Sequence, residues 1–182
     1  MIKSIIYWSN YGSTRRYAEL LSKDMGIPAL PLHNAGASDG EAFYLGCVMD
    51  GRIKGYACAA ARFRIAGVCA VGLEEKRADT VLELRRNTGI VDSRIRIFYA
   101  RGAFDKDKLS PVHRLMLRGA MESMEGSAKY AAILELMQKG CDFVSEENIR
   151  PAAEWIIRRT GKNNAVFSRT WQGRLCRQYR RY

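Results

Sequence analysis

The sequence predicts an α/β domain built on a parallel sheet with helices on both faces. Three observations carry this. Short apolar runs alternate with amphipathic stretches through residues 1–100. The runs are apolar at nearly every position, which suits strands covered on both sides. Glycines at 26 and 89 stand where two of the intervening stretches end. The 182 residues suit one domain, and a hydrophobic content of 47% is that of a globular chain.

The elements follow in order. Ile2–Trp8 is apolar but for Lys3 and Ser4 and reads as a buried strand. Residues 15–25 read as a helix with Ala18, Leu21 and Met25 on one face and Gly26 at the end. Residues 27–32 form a strand whose Pro28 and Pro31 suit only a sheet edge. Residues 34–40 are a polar, Gly-rich connection. Residues 42–49, 66–73 and 95–100 are three further apolar strands, with helices over 54–64 and 76–87 between them. Each crossover should be right-handed.

The pattern changes after Tyr99. Ser110-Pro111 is a helix start, with a hydroxyl cap followed by proline at the first helical position. That helix carries Leu115, Met116, Leu117, Met121 and Met124 to about Glu125. A second helix covers 128–139, a short strand 141–144, and a third helix Glu146–Thr160. Ser145 caps the third, and Ile149, Ala153, Trp155 and Ile156 form its buried face.

The stretch with most chemical content is Ser9-Asn10-Tyr11-Gly12-Ser13-Thr14, where the first strand runs into the first helix. The first turn of a helix leaves backbone N–H groups without partners, and the dipole favours negative charge there. Gly12 lets the backbone approach a ligand closely, and Ser9, Ser13 and Thr14 add hydroxyl donors. The combination predicts a phosphate site.

The Ser-x-x-Gly-x-Thr opening resembles the flavodoxin phosphate loop, with Ser9, Gly12 and Thr14 matching and Tyr11 in place of the middle threonine. The stretch Gly46-Cys47-Val48-Met49-Asp50-Gly51-Arg52-Ile53 is similar to that family's second flavin loop, and Val71-Gly72-Leu73 falls where the third belongs. Tyr99-Ala100-Arg101-Gly102-Ala103-Phe104-Asp105, then Leu109-Ser110 and a Met-rich helix, resembles the branch that contains menaquinone-dependent protoporphyrinogen oxidase. The resemblance covers about residues 1–160. It implies a flavodoxin-like doubly wound sheet of order 2-1-3-4-5, whose last strand is interrupted by a helical insertion over about 102–140 and resumed by 141–144.

The same resemblance implies FMN, with its phosphate on Ser9, Asn10, Tyr11, Gly12, Ser13 and Thr14. Its ring would lie between Cys47, Val48, Met49, Asp50 and Gly51 on one side and Gly72, Leu73 and Glu74 on the other. Open α/β sheets independently place ligands beyond the carboxyl ends of the strands, where the strand order reverses. The second loop holds no aromatic residue, so Met49 is left to cover that ring face. Asp50 is an unusual neighbour, because a carboxylate disfavours an anionic reduced ring. Tyr11 either packs on the flavin or covers the core.

Three functions stay open. One is an FMN-dependent oxidoreductase that passes electrons from a protoporphyrinogen-type substrate to a quinone. Another is a flavodoxin-type electron carrier serving a redox partner, and the third a flavin-free binding module. The Met-rich helix either packs or walls an apolar site, where Arg101, Arg114 or Arg118 would meet a carboxylate. No catalytic residue is assigned. His33 and His113 have no metal spacing, so no metal is expected. Five cysteines without a C-x-x-C pair suit reduced thiols.

The net charge of +11 is uneven. Residues 155–182 hold eight Lys/Arg and no acid, which leaves the preceding chain at +3. The domain is expected over 1–161 and a basic amphipathic tail over 162–182. There Phe167, Trp171, Leu175 and Tyr179 recur every four residues among arginines. Such a stripe fits an anionic membrane surface, packing on its own domain, or, less favoured, nucleic acid. The chain is expected in the cytoplasm, with the tail allowing a peripheral position at the inner membrane face.

Overall fold

Neighbouring residues in each central strand belong to opposite cores, which explains why the strands are apolar at nearly every position. In the computed structural model, described for residues 1–36, 39–109, 111–127 and 130–160, the sheet comprises β1 (Ile2–Trp8), β2 (Ala29–Pro31), β3 (Glu41–Met49), β5 (Arg64–Gly72) and β6 (Arg96–Arg101). The short β4 (Arg52–Ile53) pairs antiparallel with the end of β3. The order is β2-β1-β3-β5-β6, and every neighbouring pair on that path is parallel. With β4 set aside, this is the flavodoxin-like order 2-1-3-4-5.

Helices α1 (Ser13–Met25) and α6 (Glu146–Thr160) cover one face. Tyr17, Leu21, Ile149, Ala153 and Ile156 pack there on Ile5, Phe43, Leu45, Cys69 and Val71. Helices α2 (Tyr56–Arg62) and α3 (Thr80–Thr88) cover the other, with Tyr56, Ala59 and Leu84 on Ile6, Tyr44, Val68, Ala70 and Ile97. The two-proline segment lies at the sheet edge as expected, since β2 pairs only with β1. Trp155 packs against Phe43 and Phe98, with ring centroids 6.0 and 5.7 Å away. Gly67 leaves it room: a Cβ there would sit 2.7 Å from the indole.

At the amino edge of the sheet, Glu41 accepts from Arg159 Nε (3.2 Å) and Nη2 (2.8 Å), and the Met1 amine lies 3.3 Å away. The Arg159 guanidinium pulls the Glu41 carboxyl down to about 2. This clamp joins the last turn of α6 to the first residue of β3.

The helical insertion stands where it is expected. After β6 come β7 (Ala103–Phe104), a 3-10 turn (Lys106–Lys108), α4 (Pro111–Met124), α5 (Ala131–Lys139) and β8 (Cys141–Asp142). The return differs in direction from the expectation for 141–144. β8 runs antiparallel to β7 as a separate two-stranded ribbon, and only Phe143 N–H reaches the end of β6, at Gly102 O (3.0 Å). The course of α6 explains this. That helix descends toward the amino edge, where Arg159 meets Glu41, so the chain feeding it arrives at the carboxyl edge already heading down. Val112 and Leu115 on α4 are exposed, and α5 has no buried residue. Among the described residues no helix is long and apolar enough to cross a membrane. The expected Ser110 cap and the 162–182 tail lie outside the described residues.

Candidate functional site

The loop between β1 and α1 is shaped by Gly12, whose φ of 92° is a left-handed value that disfavours a side chain. The first hydrogen bond of α1 runs from Arg16 N–H to Gly12 O (3.0 Å). The N–H groups of Ser13, Thr14 and Arg15 therefore precede the helical ladder. Ser9 Oγ accepts from Gly12 N–H (3.1 Å) and from Arg15 N–H (3.4 Å), so a hydroxyl oxygen serves as one acceptor in the cradle. Thr14 is only 1% exposed, and its Oγ1 has no partner among the described residues. A buried hydroxyl without a partner is costly unless a ligand satisfies it.

The first turn of α1 contains no acid and carries Arg15 and Arg16. Cations at a helix N-terminus oppose the dipole. Both side chains are paired with acids outside the loop: Arg15 with Glu19 (2.7 Å) and Arg16 with Asp142 (2.7 Å). The residues thus suit a phosphate: the Ser13 and Thr14 amides without an acceptor among the described residues, an orphan hydroxyl, and no carboxylate in the turn.

Neighbouring segments meet this loop on two sides. Asn10 accepts from Trp8 Nε1–H (3.0 Å) and donates to Met49 Sδ (3.2 Å), which ties the loop to the end of β3. Tyr11 packs edge-on against Phe104, with centroids 5.8 Å apart. Burial holds the Tyr11 phenol up, and the nearby Cys47 adds to it. Burial likewise pushes the Cys47 thiol up, against the backbone N–H of Asn10 and the Lys54 charge, so it is a protonated thiol at neutral pH. Ser13 lies against Gly102, where a Cβ would come within 3.0 Å of its Oγ.

The second expected loop is a tight β3–β4 hairpin. Val48 pairs with Ile53 and Met49 with Arg52, leaving Asp50 and Gly51 as the two turn residues. Both have positive φ, 53° and 68°, which is the type I′ signature. The hairpin leans on the end of α3: Ile53 N–H donates to Thr88 Oγ1 (3.0 Å), and Gly51 lies beside Asn87. The Asp50 carboxylate is 83% exposed with Lys54 Nζ at 3.5 Å, so solvent and a cation both weaken its field.

The third loop is held from behind. Gly72 O accepts from Gly102 N–H (2.6 Å), Leu73 O from Arg101 Nε (3.4 Å), and Glu74 O from the Tyr99 hydroxyl (2.8 Å). The Tyr99 ring fills the space beside Gly72. Burial pushes its phenol up to about 12.

The fold therefore brings all three expected loops to the carboxyl edge of the sheet. Trp8 and Phe104 are site neighbours that sequence reasoning passed over. Trp8 reads as the last core residue of an apolar run, yet it is 39% exposed. Of the three arginines expected to meet a carboxylate, Arg114 is engaged with Leu109 O (3.1 Å) and Asp107 O (3.0 Å), and Arg118 is exposed. Among the described residues no group of His, Cys, Asp and Glu could hold a metal ion.

No protein-family model and no curated protein matches the chain. Among solved structures it is similar to the flavodiiron protein from Giardia intestinalis, with 19% identity and a TM-score of 0.32. That match spans 52% of this chain and 30% of the other. At such a distance nothing of the flavodiiron protein's chemistry transfers.

Proposed function

We propose that this chain is an FMN-binding oxidoreductase on the flavodoxin-like fold. One observation carries the reading. The first turn of α1 opens at the carboxyl edge with the Ser13 and Thr14 amides, a left-handed Gly12, and a buried Thr14 hydroxyl that has no partner among the described residues. A phosphate monoester fits that cradle, and the loops after β3 and β5 lie where a planar ring would follow. FMN would supply the electron-transfer chemistry, while the protein holds it and tunes the charge around it.

Absorbance and fluorescence titration of the purified protein with FMN and with riboflavin tests this. FMN is expected to bind at least about a hundredfold more tightly, the worth of one or two charge-assisted hydrogen bonds to its phosphate. Gly12→Asp, which adds bulk and like charge, should abolish the difference. Equal affinity for the two flavins, or none for either, overturns the reading.

The finer proposal is a hydrophobic electron donor of the protoporphyrinogen type and a quinone acceptor. Exposed Val112 and Leu115 on α4, with exposed Arg118 one turn on, favour an apolar molecule bearing carboxylates over a small polar one. Anaerobic bleaching of the flavin by protoporphyrinogen, then recovery on adding menaquinone, is expected. A flavin that this donor leaves oxidised points instead to a carrier without its own substrate.

A further inference from the structure

Arg101 ends β6 behind the third loop. Its guanidinium lies 3.6 Å above the Phe143 ring, its Nε donates to Leu73 O (3.4 Å), and its Nη1 lies 3.4 Å from Glu75 Oε1. Its own carbonyl accepts the Tyr17 hydroxyl at 2.5 Å. The side chain is 23% exposed, and Nη2 has no acceptor among the described residues. A cation held from three sides, with donors left over, is an unusual thing to find beside an expected ligand loop.

The neighbouring charges do not cancel it. Glu74 pairs with Arg77 (3.5 Å), Asp142 with Arg16 (2.7 Å), and Asp50 with Lys54 (3.5 Å). Glu75, the acid that meets Arg101, is 85% exposed and therefore weakly coupled. We propose that Arg101 stabilises the anionic, two-electron-reduced form of the bound flavin. This rests on the FMN reading above. Oxidised FMN takes up two electrons and one proton, the donor losing the two electrons, and the ring then carries one extra negative charge. A fixed cation behind the third loop lowers the energy of that form and leaves oxidised FMN nearly unaffected. Phe143 keeps the guanidinium in place by cation–π stacking.

The test measures the affinity of each variant for oxidised FMN and, under argon with dithionite, for reduced FMN. Arg101→Gln should weaken binding of the reduced form about tenfold more than of the oxidised form. Arg101→Lys should restore most of that difference. Glu75→Gln, a surface change that does not threaten folding, removes only a weakly coupled acid and should leave the ratio of the two affinities within about twofold of wild type. Equal effects on both redox forms in Arg101→Gln, or a change of that ratio in Glu75→Gln as large as in Arg101→Gln, overturn the role of Arg101 while leaving FMN binding intact. Failure of the wild-type protein to bind oxidised FMN overturns both inferences together.

Discussion

Thr14 has a fully buried hydroxyl with no partner among the described residues, and this makes a prediction with two opposite signs. Thr14→Val keeps the shape and removes the orphan oxygen. The ligand-free protein should be as stable as wild type or up to about 1 kcal/mol more stable. FMN affinity should fall about tenfold, because the hydroxyl has lost its role toward the phosphate. Thermal melts and FMN titration of the same preparation check both signs, and a destabilised variant with unchanged affinity would refute the assignment. At this scale the sequence was legible where the chemistry is local. Ser9, Gly12 and Thr14 lie within six residues, so residue type alone marks the turn before α1 as the candidate site. Asn10 was legible only in part: its bonds to Trp8 and Met49 need β1 and β3 side by side, and Met49 is 39 residues away. Arg101 is similar, since its partners Leu73 and Glu75 lie in one distant segment and Phe143 in another.

The β3–β4 hairpin shows an element whose signal was present and read differently. Asp-Gly at the end of an apolar strand is a strong hairpin mark, and here both turn residues adopt positive φ. Gly51→Ala should destabilise the protein by about 1–2 kcal/mol, because a β-carbon at φ 68° strains the backbone. Chemical denaturation measures the cost, and a variant with wild-type stability would mean that the turn relaxes freely. Asp50→Asn, by contrast, should be tolerated, since asparagine enters this region readily. The regular elements were more legible than the hairpin. Strands buried on both faces need apolar residues at nearly every position, so β1, β3 and β5 stand out without knowledge of their neighbours. The direction of β8 was not legible, because it depends on where α6 must descend, and that is set by tertiary packing on Phe43 and Phe98.

For the molecule as a whole, the Glu41–Arg159 clamp links stability to pH. The folded carboxyl is depressed to about 2 from an ordinary value near 4.5. The unfolded chain therefore binds the proton more tightly, and the clamp's contribution is fully present above about pH 4.5 and lost as pH falls toward 2. Glu41→Gln should cost about 1 kcal/mol at pH 7, the scale of a charge-assisted hydrogen bond whose acid is largely covered but whose Arg159 partner is 43% exposed. Urea midpoints of the two proteins should converge near pH 2, and a gap that persists there would assign the loss to packing. Charge along the chain was legible from composition, but this pairing across 118 residues was not. The insertion has a consequence of its own. It leaves at Phe104 and comes back at Cys141, which face each other in the β7–β8 ribbon. Its two ends thus form a natural splice point. Cutting out 105–140 and closing the gap with an Asn-Gly turn should yield a minimal sheet domain that still takes up FMN. Turnover with a large greasy donor would vanish from that trimmed protein if the excised helices are what greets it, a separation of cofactor housing from substrate reception made with one deletion.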